Sequence, residues 1–109
     1  MEGMFEGCTA LTELDLTNFN TGKVTSMFRM FYNCSSLIKL NLNNLNTDKV
    51  NDMSWMFYNC SSLKELNNDN FNFDNVKEMM GMFSRCDDEL RKKMKKKFKF
   101  LKDEAYHNI

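Results

Sequence analysis

Proline is absent from this sequence, and histidine and tryptophan occur once each. The lone histidine, His107, stands near the C-terminal end, where chains fray, so histidine-based acid–base chemistry has no anchored candidate. Only four glycines occur, Gly3, Gly7, Gly22 and Gly81, and they are too isolated to form a phosphate-cradling loop or a G-x-S-x-G turn. No carboxylate falls in a motif that would raise its pKa for proton transfer. No apolar run approaches bilayer length, and the opening Met1-Glu2-Gly3-Met4-Phe5-Glu6 lacks the basic-then-apolar order of a secretory leader. That opening predicts a chain not exported by the usual route, and a cytoplasmic one if nothing lies upstream. The missing proline, beside abundant asparagine, reads as a compositional imprint on tolerant loop positions. An enzyme is not expected, and neither a cofactor nor a metal is called for.

What is present is a repeat. Met4-Phe5-Glu6-Gly7-Cys8-Thr9-Ala10-Leu11 recurs as Met30-Phe31-Tyr32-Asn33-Cys34-Ser35-Ser36-Leu37, and again as Met56-Phe57-Tyr58-Asn59-Cys60-Ser61-Ser62-Leu63. A last copy begins at Met82-Phe83-Ser84-Arg85-Cys86 and then dissolves. The period is 26 residues without insertion, and the apolar positions keep the same register. Leu11, Leu37 and Leu63 form one column, and Leu14, Leu40 and Leu66 the next. Phe19/Leu45/Phe71, Val24/Val50/Val76 and Met27/Met53/Met79 follow. Copies too small to bury their own apolar face can stack and share it, and about three are needed for stability.

Within a copy, Leu11-x-x-Leu14-x-Leu16 ends in the alternation of a short half-buried strand, so stacking predicts a parallel sheet. The spacing of Val24, Met27, Met30 and Phe31 predicts a short helical segment packed back on that strand. The asparagine-rich link around Asn18 and Asn20 reads as a turn, with amide ladders expected down the Asn18/Asn44/Asn70 and Asn20/Asn46/Asn72 columns. Asn68 stands where Leu16 and Leu42 point inward, which predicts a third strand that is short or frayed.

The L-x-x-L-x-L core resembles a leucine-rich repeat. The fuller pattern M-F-x-x-C-x-x-L-x-x-L-x-L-x-x-F-x-T-x-x-V-x-x-M resembles the BspA-like, DUF285 class of bacterial surface proteins, over residues 4 to 86. The resemblance implies a place on the cell surface and a part in adhesion or host contact. Pattern and resemblance together predict an α/β fold: a right-handed, leucine-rich-repeat-type solenoid of about three turns. Its short parallel sheet would take one strand per turn, and a C-terminal helix would cap it. Residues 1–86 form the array of three full repeats and a partial one. Residues 87–109 form the cap.

That cap is predicted as one basic amphipathic helix. Asp87, Asp88 and Glu89 suit its N-terminus, where the helix dipole favours negative charge. Leu90, Met94, Phe98, Leu101 and Ala105 make the apolar stripe; Arg91, Lys92, Lys93, Lys95, Lys96, Lys97, Lys99 and Lys102 make the opposite face. The chain is neutral overall, but residues 1–86 carry seven basic and ten acidic side chains, and residues 87–109 eight and five. Such a tail suits contact with anionic membrane, while nucleic acid is disfavoured because interleaved aromatics are lacking; Phe98 and Phe100 are too few.

Four cysteines, Cys8, Cys34, Cys60 and Cys86, stand 26 apart, a spacing unlike the close pairs of zinc sites. They read as a column of small buried residues, with pairing between neighbours left open by geometry. The candidate binding face is the outward side of the strands: Glu13, Asp15 and Thr17, then Lys39, Asn41 and Asn43, then Glu65, Asn67 and Asp69. Trp55 occupies the slot of Arg29 and Gly81 and is a candidate exposed anchor. The expected role is a non-enzymatic interaction module that recognises a protein or host-surface ligand through the strand face. Self-association through the N-terminal edge, or service as a structural piece of a longer array, are the alternatives.

Overall fold

A computed structural model describes residues 2–16, 19–99, 101 and 103–106. The side chain of Asp15 and the whole of Thr17, Asn18, Phe100, Lys102 and His107 lie outside the described residues. Three parallel strands, β1 (Glu13–Asp15), β2 (Lys39–Asn41) and β3 (Glu65–Asn67), form one open sheet in chain order. A helix, α1 (Asp88–Lys97), and a 3-10 turn at Asp103–Ala105 follow. The fold is therefore α/β. Strand partners are offset by 26 residues, with Leu14 opposite Leu40 and Leu40 opposite Leu66. The period of the sequence and the register of the sheet are one quantity.

The same offset governs the rest of each copy. The rings of Phe5, Phe31, Phe57 and Phe83 stack at centroid distances of 5.3–5.7 Å, nearly parallel. Met27, Met30, Leu37, Val50, Met53, Met56 and Leu63 are sealed from solvent beside them. Thr21 and Thr47 make a buried polar rung. The Thr21 hydroxyl donates to the Asn46 carbonyl and accepts from its N–H, and Thr47 does the same with Asn72. Asn20, Asn46 and Asn72 accept from the N–H two residues on, closing the expected turns. The amide-to-amide bond down the stack occurs in a different column: Asn59 donates to Asn33 at 2.7 Å.

The helical segment expected around Val24–Phe31 does not form. Arg29 and Asn33 have φ of 56° and 62°, and Trp55, Asn59 and Arg85 repeat that geometry, as do Gly3, Gly7 and Gly81. A left-handed residue every fourth position breaks a helix and makes a run of tight turns instead. The exchange is favourable because alternate N–H groups then reach the next copy. Met27, Arg29, Phe31 and Asn33 donate to the carbonyls of Asp52, Ser54, Met56 and Tyr58 at 2.7–3.1 Å. Met53, Trp55, Phe57 and Asn59 repeat the pattern onto Glu78, Met80, Met82 and Ser84. An isolated helix would have satisfied those donors internally and left the copies joined by side chains alone.

The third copy is adapted to its end position rather than frayed. β3 has the same three residues as its neighbours, and Asn68 is fully buried. Its amide oxygen accepts from Lys97 Nζ at 3.1 Å, and its nitrogen lies 3.7 Å from the Met94 sulfur. Phe73, which replaces Thr21 and Thr47 in its column, packs edge-on against Phe98 at 5.0 Å. The polar residue that argued for fraying is thus paired with the helix that covers it.

The cap is shorter than one helix over 87–109. α1 ends at Lys97, with Phe98 as its C-cap, and the chain turns so that Leu101, Ala105 and Tyr106 are buried beyond it. The turn follows from what the last copy needs. The Gly81 and Phe83 N–H groups donate to the carbonyls of Glu104 and Ala105, at 2.8 and 2.6 Å. Tyr106 stacks on Phe83 at 5.6 Å. A straight helix could not supply those carbonyls, whose lone pairs it would use itself. Among the described residues, no helix is long and apolar enough to cross a membrane.

Candidate functional site

Three outward surfaces carry the residues nominated by the sequence. The first is the strand face. Register places Glu13, Lys39 and Glu65 side by side, and Asn41 beside Asn67. Much of this surface is bonded to itself. Lys39 Nζ lies 3.7 Å from a Glu65 carboxylate oxygen, an exposed pair worth at most about 1 kcal/mol. The Asn41 amide oxygen accepts from the Asn43 N–H, and the Asn43 oxygen accepts from the Asp69 N–H, both at 3.0 Å. Asp69 also pairs with Lys97. Asn43 and Asp69 therefore hold the chain where it leaves the strands.

The second surface is the outer side of the tight turns, which sequence reasoning missed except for Trp55. Its left-handed residues alternate with inward phenylalanine and methionine, and four columns make up this side, all solvent-reached except at Ser54, Gly81 and Ser84, which are buried. The columns hold Phe28, Ser54 and Met80; Arg29, Trp55 and Gly81; Tyr32, Tyr58 and Ser84; and Asn33, Asn59 and Arg85. Tyr32 and Tyr58 stack at 4.8 Å. The Arg29 guanidinium lies 4.5 Å from the Tyr32 ring centroid and 5.3 Å from that of Phe28, with one nitrogen 3.3 Å from Glu6. Trp55 meets Tyr58 edge-on at 5.5 Å, and the Arg85 guanidinium lies 6.0 Å from the centroid of the same Tyr58 ring. Phe28, Tyr32, Trp55 and Tyr58 are all half-buried, and Met80 is exposed. Trp55 is thus no free anchor: its ring rests on Gly81, where an added Cβ would fall 2.2 Å from ring carbons. From residue 28 onward the four columns contain two arginines and no carboxylate.

The third surface is the tail. Lys92, Lys93, Lys95, Lys96 and Lys99 are exposed, Arg91 pairs with Asp88, and Lys97 is folded back onto Asn68 and Asp69. Asp87 caps α1, accepting from the Leu90 N–H, and bonds Lys64 at 2.6 Å; the Lys64 ammonium holds its carboxyl below the ordinary range.

The cysteines are four free thiols, three of them buried. Each buried one donates to the phenylalanine carbonyl of the preceding copy: Cys34 to Phe5, Cys60 to Phe31 and Cys86 to Phe57, at 3.0–3.2 Å. The column is therefore more than apolar filling, because each buried thiol adds a second hydrogen bond to a phenylalanine carbonyl that already accepts a backbone N–H. Burial pushes Cys34 up to about 11 and Cys86 up to about 12, and raises Cys60 well above the ordinary thiol value. Such thiols are poor nucleophiles at neutral pH. Among the described residues, no three His, Cys, Asp or Glu side chains are grouped to hold a metal ion.

No curated protein and no solved structure matches the chain. One family model does, and it spans nearly the whole sequence. Residues 1–105 match the model described as "Mycoplasma protein of unknown function, DUF285", and the chain belongs to that family.

Proposed function

We propose that the chain is a non-enzymatic recognition module, a leucine-rich-repeat-type solenoid that binds a protein ligand through the outer side of its tight turns. The solenoid reading rests on the common 26-residue offset of the sheet, the phenylalanine stack and the turn-to-turn hydrogen bonds. The observation that carries the choice of surface is compositional. Phe28, Arg29, Tyr32, Trp55, Tyr58, Met80 and Arg85 are all of the residue types enriched at the centres of protein interfaces. The strand face holds glutamate, lysine, aspartate and asparagine, and ties several of them to one another. Stacked rings with guanidinium groups laid on them are held in place before any partner arrives, which lowers the entropic cost of binding. The resemblance to surface adhesins points to host-surface proteins as the ligand class.

The test compares two sets of variants of the immobilised chain, each checked for an unchanged urea midpoint. Tyr32→Ala and Arg85→Ala alter the turn side; Lys39→Ala and Glu65→Ala alter the strand side. A host-surface protein retained by the parent and by the strand variants, but lost by the turn variants, is the expected result. Loss with the strand variants would move the site to that face, and retention of nothing by the parent would sink the reading.

A further inference from the structure

The two sides of every internal boundary between copies are complementary in backbone groups. In the turns the N–H groups point forward: Gly3, Phe5 and Gly7 donate to the carbonyls of Phe28, Met30 and Tyr32. Elsewhere they point back, Ile38 to the Thr12 carbonyl, Asn46 to the Thr21 hydroxyl and Asn51 to the Thr25 carbonyl. The backward-looking face of the first copy therefore carries acceptors on one flank and donors on the other. Among the described residues, the carbonyls of Glu2, Met4 and Glu6 have no partner, nor have the N–H groups of Thr12, Asn20 and Thr25. The side chains on this face are those of the inner columns without their cover. Met4 is 48% exposed where Met30, Met56 and Met82 are sealed, and Phe5, Leu11 and Leu14 are only half-buried. The other end of the stack is closed. Glu104 and Ala105 take the Gly81 and Phe83 N–H groups, and Tyr106 covers the Phe83 ring.

We infer that the first-copy face is a dimerisation surface, occupied by the same face of a second copy about a two-fold axis through Leu14. A second copy whose far end is closed by its tail has this face alone to stack with. The axis sets β1 antiparallel to its counterpart, so two free sheet edges pair and two three-stranded sheets become one. It also reverses the outline of the face, laying the Glu2–Glu6 flank of each copy against the Asn20–Thr25 flank of the other. Acceptors then meet donors on both sides, the self-complementarity that a two-fold interface demands. The apolar columns run on across the junction as they do between the copies within one chain. The register carries one unfavourable feature. Glu13 stands opposite Asp15 of the second copy, and like charges directly opposite weaken a cross-strand pair. The dimer does not depend on the role of the turn surface.

Sedimentation equilibrium of the full chain over a range of concentrations, under reducing conditions, tests this. A reversible dimer with no larger species is expected. Met4→Asp, which changes an exposed side chain and should keep the parent's urea midpoint, should abolish it. Glu13→Lys turns both acidic oppositions into opposite-charge pairs and should tighten the dimer about fivefold, whereas Glu65→Lys, on the far strand, should not. A chain that stays monomeric up to about 1 mM would overturn the surface. So would growth beyond the dimer, a dimer indifferent to Met4→Asp, or Glu13→Lys having no more effect than Glu65→Lys.

Discussion

Replacing Gly81 with alanine should cost far more than a surface glycine ordinarily does, and the excess should depend on Trp55. Gly81 has φ of 65°, where an L-residue is penalised by roughly 1 kcal/mol. The new Cβ would also stand 2.2 Å from two carbons of the Trp55 ring and 2.9 Å from a third, all in the body of the indole. The ring must leave its seat and give up the edge-on contact with Tyr58, a loss of about 1 kcal/mol, together with part of its packing on the backbone. The sum is about 3 kcal/mol. With a urea m-value near 2 kcal/mol/M for a domain of this size, the midpoint should fall by roughly 1.5 M. Urea titrations followed by far-UV circular dichroism would measure it in four chains: parent, Gly81→Ala, Trp55→Gly and the double variant. In the Trp55→Gly background only the backbone penalty remains, so the alanine should cost about 1 kcal/mol there. A cost for Gly81→Ala that is the same with and without Trp55 would refute the packing of this ring on this glycine.

Three further outcomes follow from the buried polar groups and the thiols. Asn68→Leu restores the apolar column and should leave stability within about 1 kcal/mol, whereas Asn68→Ala opens a cavity beneath α1 and should cost about 2 kcal/mol; equal effects in urea titration would dissociate Asn68 from the helix. The thiols and Tyr106 predict loss of stability in alkali. In the unfolded chain they ionise from ordinary values of 9.0 and 10.0, and in the fold from about 11 at Cys34 and about 12 at Cys86 and Tyr106. Between those limits the unfolded state binds fewer protons, so stability falls as pH rises from 9 towards 12, and Cys60→Ala with Cys86→Ala should flatten the slope. At neutral pH a thiol-specific reagent should modify Cys8, which is half-buried, well before the other three; uniform reactivity would contradict the sealed column.

The repeat columns were legible because burial repeats at the same 26-residue spacing as the apolar residues, so Leu40, Leu66, Phe31 and Phe57 could be placed by counting. The run from Val24 to Phe31 was misread because its spacing also fits one side of a helix, and nothing about an arginine or a tryptophan announces positive φ. A signal was nevertheless present. Gly3 and Gly81 share a column with Arg29 and Trp55, and Gly7 shares one with Asn33 and Asn59, residue types that tolerate the left-handed region. The start of α1 was legible from Asp87, Asp88 and Glu89, but its end was not. Lys97 and Phe98 have no helix-breaking character, and the chain turns there to meet Gly81 and Phe83, which lie seventeen and fifteen residues before Phe98. The aromatic surface was hidden for a related reason. Tyr32 and Tyr58 are distant in sequence and become neighbours only when the copies stack.

The direction of the turn-to-turn hydrogen bonds bears on how such a gene can change length. Each internal copy donates forward from its turns and accepts from behind, and the two sides are offset identically. A duplicated 26-residue unit inserted between the second and third copies would find a donor behind it and an acceptor ahead, so it could be added without revising either end. The third copy is not interchangeable in this way. Asn68 is matched to Lys97 and Phe73 to Phe98, and recombination that parted them would leave a buried amide without its partner and a ring without its cover. Growth and shrinkage are therefore expected in whole units from the interior, with the last copy and its tail inherited together.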